Sequence, residues 1–89
     1  MPGATPELRA ELVSLILQVT AREGLDPNGF DDAEPCVGGE LLHDSLDVLE
    51  FLVALDRTYG VAIRDGGVGQ TVLQDLGTLT RYVAEHRSR

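Results

Sequence analysis

The 89-residue sequence contains no lysine and no tryptophan, and only one cysteine, two phenylalanines and two tyrosines. With lysine missing, seven arginines face fifteen acids and the formal net charge is −8. The cationic surface needed to bind nucleic acid or an anionic membrane is therefore lacking. Cys36 has no second cysteine with which to form a disulfide or a metal site, and no basic neighbour to favour its thiolate, so it reads as a small apolar residue. The longest uninterrupted apolar run is Phe51 to Leu55, far short of the roughly 18 residues of a membrane span. The opening MPGATPELRAEL lacks the charged-then-apolar order of a secretory signal, and a cytoplasmic location is expected. Scarce aromatics, with Leu and Val carrying the apolar content, suit a small helical bundle better than a β-sandwich.

A chain of this length buries roughly 60 to 65% of its unfolded surface, enough for one small domain over residues 1–89 and not for two. Its charge is unevenly placed. Between Arg22 and Arg57 there is no basic side chain, while the ten acids from Glu23 to Asp56 all fall in that window. Such a single-sign field steers cationic partners or serves as a solubilising face, and its self-repulsion favours a monomer.

Thr5 and Pro6 form a helix start, and Leu8, Leu12, Leu15, Ile16 and Val19 share one face of a helix expected over 6–23, closed at Gly24. Residues 25–43 hold Pro27, Gly29, Pro35, Gly38 and Gly39, and read as a long loop with one short helical turn, either packed through Leu25, Phe30, Val37, Leu41 and Leu42 or functional. A calcium loop starting at Asp26 is ruled out, because Asp31 stands where glycine is needed and Val37 where glutamate is needed. A second helix is expected over 45–59, with Leu46, Leu49, Leu52, Val53 and Leu55 or Tyr59 inward, Asp47, Glu50, Asp56 and Arg57 outward, and Gly60 closing it. Val61 to Ile63 form an extended connector. Asp65, Gly66, Gly67 and Gly69 read as a flexible loop leading to a helical turn at 69–73. A last helix over 76–86 is capped by Asp75 or Thr78, carries Leu76, Leu79, Tyr82 and Val83 inward, and ends in a frayed basic tail, His86 to Arg89. The fold class is all-α, a three- to four-helix bundle.

The chemistry centres on Ser45 in HDSLD. Ser45 or Asp44 caps the second helix. A hydrolase nucleophile is disfavoured, since G-x-S-x-G is absent and no large scaffold fits this length; His43 reads as a solvated loop residue. As a phosphate acceptor, Ser45 would hold the anion at a helix N-terminus, where backbone N–H groups and the dipole stabilise it.

The stretch LLHDSLDVLEFLVALDRTYGVAI resembles the acyl carrier protein family. Asp44, Ser45, Leu46 and Asp47 match its Asp-Ser-Leu-acid start, Tyr59 and Gly60 its aromatic-Gly pair, and Val61 and Ile63 its connector. QDLGTLTRYV is similar to its last helix. The resemblance implies a bundle of acyl carrier protein type and no catalytic residue. It implies that Ser45 receives covalent 4′-phosphopantetheine from coenzyme A, through a magnesium-dependent phosphopantetheinyl transferase, and carries acyl groups as thioesters to partner enzymes. Asp44, Asp47, Glu50 and Asp56 would meet basic docking surfaces on loading enzymes, ketosynthases or other synthase enzymes, with Leu46 and Val53 as apolar contacts. Leu49, Val53, Ile63 and Leu73 would line an acyl cavity or, equally, form plain core.

Arg57, Thr58 and Ala62 depart from the acids usual in fatty-acid members, and the glycine-rich loop departs from the usual third helix. The implied role is thus a discrete carrier of a polyketide or related specialised pathway. Two alternatives stand beside it. An aminoacyl or peptidyl carrier of a nonribosomal system usually has its Gly-Gly pair closer to the serine than Gly38 and Gly39 are. An unmodified acidic adaptor would not need Ser45 at all.

Overall fold

The computed structural model describes residues 4–22 and 24–88. Extended Thr5 accepts a hydrogen bond from the Leu8 N–H at 3.1 Å, Pro6 takes the first helical position, and helix α1 runs Pro6–Val19. Leu8, Leu12, Val13, Ile16 and Leu17 are buried, whereas Leu15 and Val19 are partly buried against the core. α1 therefore ends before residue 23, and Gly24 is not its cap. Ala21 closes it in the left-handed region at φ 55°. The Ala21 N–H donates to the Gln18 carbonyl and the Arg22 N–H to the Leu17 carbonyl, at 3.1 and 3.0 Å. This paired closure is usually built on glycine, because a β-carbon crowds the left-handed backbone. Ala21→Gly should accordingly raise stability by about 0.5 to 1 kcal/mol, measurable by urea unfolding; an unchanged or lower midpoint would refute it. Glu23, where the sequence placed the helix end, lies outside the described residues.

The loop after α1 makes one 3-10 turn, Pro27–Gly29, capped by Asp26. Phe30, Cys36, Leu41 and Leu42 are buried, but Leu25 and Val37 are exposed, which corrects the expected packing set. A parallel bridge joins Val37 to Leu42, and the Arg22 guanidinium holds the Leu41 carbonyl. The loop also finishes a helix. Helix α4 spans Leu76–His86, and the Leu76 and Gly77 N–H groups donate to the Glu34 and Asp32 carbonyls at 2.9 and 3.0 Å. At Gly77 a β-carbon would stand 3.0 Å from that of Asp32, so glycine allows the loop this close.

Helix α2 spans Ser45–Tyr59 and closes at Gly60, which is left-handed at φ 71°. Its buried side chains are Phe51, Leu55 and Tyr59. The Tyr59 hydroxyl donates to Glu11 at 3.0 Å, its carbonyl accepts from the Ser88 N–H at 2.8 Å, and the Arg87 guanidinium sits over its ring. Burial and then the bond to Glu11 push the Tyr59 phenol up to about 12. The tail is thus tied down through Ser88, contrary to the expected fraying, and His86 stacks on Tyr82; Arg89 lies outside the described residues.

Helix α3, Gly66–Val72, corrects the expectation of a flexible loop and a turn at 69–73. Asp65 supplies the missing start signal, accepting from the Gly67 and Val68 N–H groups at 2.7 and 3.3 Å. Gly69 and Val72 are buried, and α3 packs on α4, so tertiary contact overrides the poor helix propensity of three glycines. α1 packs on α2 and α4. The protein is all-helical among the described residues, with four α-helices and no named strand, and none of these helices is long and apolar enough to cross a membrane.

Asp75 caps α4 through the Thr78 N–H at 2.7 Å, and this bond, first among its causes, holds the carboxyl below its ordinary 3.8. A depressed folded pKa contributes stability that is fully present above the unfolded value and lost as pH falls through the folded one. Asp75→Asn keeps a good cap but no titrating charge. Wild type should exceed this variant in urea midpoint near neutrality and lose the advantage as acidification passes below the ordinary carboxylate range and protonates the group; a gap that stays constant on acidification would refute the linkage.

Candidate functional site

Ser45 occupies the first turn of α2, after an extended cap residue, Asp44. The cap belongs to Asp44, whose carboxylate accepts from the Asp47 N–H at 2.9 Å. Asp47 answers by accepting from the His43 N–H at 3.1 Å. This reciprocal pair settles the two acids into backbone bonds and leaves the Ser45 hydroxyl, on an exposed residue, out of the capping. The first backbone N–H groups of the helix, at Ser45 and Leu46, still point outward from its positive end.

The helix period sorts α2 into three strips. Phe51, Leu55 and Tyr59 face the core. Leu46, Leu49 and Val53 are 61, 60 and 46% exposed and form an outward apolar ridge, not the inward stripe the sequence suggested. Glu50, Asp56 and Arg57 are exposed beside it, while Asp47 is half-buried. The outer face is therefore an apolar ridge with charged flanks, where a mainly acidic face was expected. Leu46 and Val53 were anticipated as surface contacts, and both are exposed.

Between these strips Val48 and Leu52 line a cavity of about 490 Å³ beside the 61–65 connector and α3. Val37, Ile63 and Leu73 add to its apolar part, with Gln70 and Gln74 adding amides. Of the four anticipated cavity residues, Ile63 and Leu73 are there. Leu49 and Val53 instead line a separate groove of about 270 Å³ that also reaches Ile63. Sequence reasoning missed Val48 and Leu52, although a signal existed: they stand three and seven residues beyond Ser45, on the same helix edge. The rise from Ser45 is about 4.5 Å to Val48 and about 10 Å to Leu52.

The remaining candidates lie apart from this site. His43 is exposed. Cys36 is fully buried, and burial, then the charges of Asp75 and Glu34, push its thiol up to about 12, so it stays a neutral packing residue at ordinary pH. Asp26 serves as a turn cap. Among the described residues no group of three or more His, Cys, Asp and Glu side chains is arranged to hold a metal ion. No family model, curated protein or solved structure matches the chain.

Proposed function

We propose that this chain is an acyl carrier protein, modified at Ser45 with 4′-phosphopantetheine and delivering acyl thioesters to partner enzymes. The observation that carries the reading is the exposed Ser45 hydroxyl, relieved of capping by Asp44 and set on the helix edge that leads to the cavity at Val48 and Leu52. The residues suit the group: an outward hydroxyl provides the attachment atom, and the positive end of α2 favours the phosphodiester. Asp44 and Asp47 lie close to that anion, but their carboxylates are turned into backbone N–H bonds.

In the loading step Ser45 Oγ attacks the β-phosphorus of coenzyme A. A new O–P bond forms and the pyrophosphate P–O bond breaks. Adenosine 3′,5′-bisphosphate leaves, and the hydroxyl proton passes to a base of the transferase, which also supplies magnesium. When bound, the group supplies the thiol on which the acyl chain is held as a thioester. The chain's own part is presentation. Leu46, Leu49 and Val53 give a partner an apolar contact, while Asp44, Glu50 and Asp56 around it favour a basic one. Charged rims of this kind speed encounter more than they prolong it, as suits a carrier that must move between enzymes. A discrete role in a polyketide or related specialised pathway rests on Arg57, Thr58 and Ala62, which stand where fatty-acid members of the resembled family usually carry acids.

The test is intact mass after incubation with coenzyme A, magnesium and broad-specificity phosphopantetheinyl transferases. One phosphopantetheinyl group should be gained by the wild type and none by Ser45→Ala. No gain with any transferase would overturn the carrier and leave an unmodified adaptor that docks through the α2 ridge.

A further inference from the structure

The groove between α2 and the connector after it differs in charge from the rest of the helix. Leu49, Val53 and Ile63 line it with carbon, while Asp56, Arg57 and Arg64 stand beside them, so two arginines outnumber one acid. Both arginines are exposed, and Arg64 makes no hydrogen bond or ion pair among the described residues. At the other end of the face, Asp44, Asp47 and Glu50 have no basic side chain among them. Arg57 lies about 18 Å along the helix axis from Ser45. That is more than twice the Debye length of about 8 Å at physiological salt, so the exposed ends present separate fields to a docked surface.

We infer that this groove docks an acidic residue and a neighbouring aliphatic side chain of the partner protein, whose basic patch lies toward Ser45. The inference rests on the carrier reading only in taking that partner to be an enzyme that acts on the arm. The aliphatic side chain covers Leu49 and Val53, which are otherwise in water, and the acid meets Arg64 and Arg57. A uniformly basic surface would set like charge against both guanidinium groups. A surface turned end for end would repel at each end, its acid against Asp44 and Glu50 and its basic patch against Arg64. The arginine pair thus fixes the direction in which a partner lies along α2, and with it which part of the partner faces Ser45.

The test titrates the full chain with two helical peptides of equal length and the same leucine stripe, observed by NMR at about 150 mM salt. One peptide has Lys at every charged position; the other has Lys in one half and Glu in the other, with a nitroxide on the Lys half. The net charge of −8 alone would favour the all-Lys peptide. The half-acidic peptide should instead bind about threefold more tightly, and its nitroxide should broaden the Leu46 methyls and spare those of Ile63. In Arg57→Glu/Arg64→Glu the order of the two peptides should reverse. Equal or tighter binding of the all-Lys peptide to the wild type, a preference that survives the double substitution, broadening centred on Ile63, or no binding of either peptide would each overturn the inference. Arg64→Glu alone, on an exposed residue, decides if the double variant does not fold. The chain is unmodified throughout, so these outcomes are independent of loading at Ser45: absence of mass gain there overturns the carrier, and absence of the peptide preference overturns the oriented groove.

Discussion

Ser45→Ala is expected to abolish coenzyme A-dependent mass gain completely while leaving thermal stability unchanged or slightly raised. The two halves of this result have separate causes. Loss of modification follows because the acceptor is a single hydroxyl oxygen, and alanine has none. Stability is spared because the cap bond to the Asp47 N–H comes from Asp44 and not from Ser45, and alanine is the better helix former in the first turn. Asp44→Ala should behave in the opposite way. Removal of an N-cap costs about 1 kcal/mol, or roughly 4 to 8 °C in Tm for a domain of this size, yet the Ser45 hydroxyl still accepts the group, more slowly because one acid of the docking face is gone. Intact mass and thermal melts on the same two proteins separate chemistry from folding. Mass gain in Ser45→Ala would move the acceptor elsewhere and sink the assignment. A melt as depressed in Ser45→Ala as in Asp44→Ala would show that the serine shares the cap.

The limits of α2 were legible because both its ends are written in local chemistry: an Asp-x-x-Asp start and a Tyr-Gly stop. Its orientation was not. Leu46, Leu49 and Val53 make one apolar stripe, and Val48, Phe51, Leu55 and Tyr59 make another on the same helix. Periodicity alone cannot decide which stripe faces inward; the choice falls to the aromatic one, which fills the space beside α1. That error carried into the site, since it placed Leu49 and Val53 in the cavity and overlooked Val48 and Leu52. Helix α3 was hidden for a different reason. Gly66, Gly67 and Gly69 signal a loop, and what makes them a helix is the Asp65 cap together with contact against α4. The end of α1 was misplaced because Gly24 was the obvious left-handed residue, whereas Ala21 adopts that conformation three residues earlier. Ser45 itself was singled out in the sequence by the Asp-Ser-Leu-acid start taken together with the Tyr59-Gly60 pair, the Val61 and Ile63 connector and the last helix at their downstream spacing. The cavity was legible only in part: Ile63 and Leu73 were anticipated, whereas Val37, Val48 and Leu52 join it through the orientation of α2 and tertiary packing.

Phe51→Ala should be the most destabilising single substitution considered, with a loss of about 3 to 5 kcal/mol. Phe51 is fully buried, lies midway along α2, and belongs to the same core as Leu12, Ile16 and Leu55. Alanine there gives up the transfer energy of the ring and leaves a void that the surrounding helices close only in part. A chain of this length has roughly 5 to 13 kcal/mol of total stability, so the substitution removes a large share of it and should lower the urea midpoint steeply. Exposed Leu49→Ala on the same helix should cost well under 1 kcal/mol, because that side chain is already in water. The contrast follows from the orientation of α2 and is opposite to the inward placement of Leu49 that the sequence suggested. Equal losses for the two variants, measured by urea unfolding, would mean that the ridge is buried in solution and that the outer face of α2 is not open to a partner. With Phe51 inward and Leu49 outward, α2 serves both tasks on separate strips. The core strip holds the helix, and that leaves the opposite strip and the Ser45 edge available for contact with other molecules.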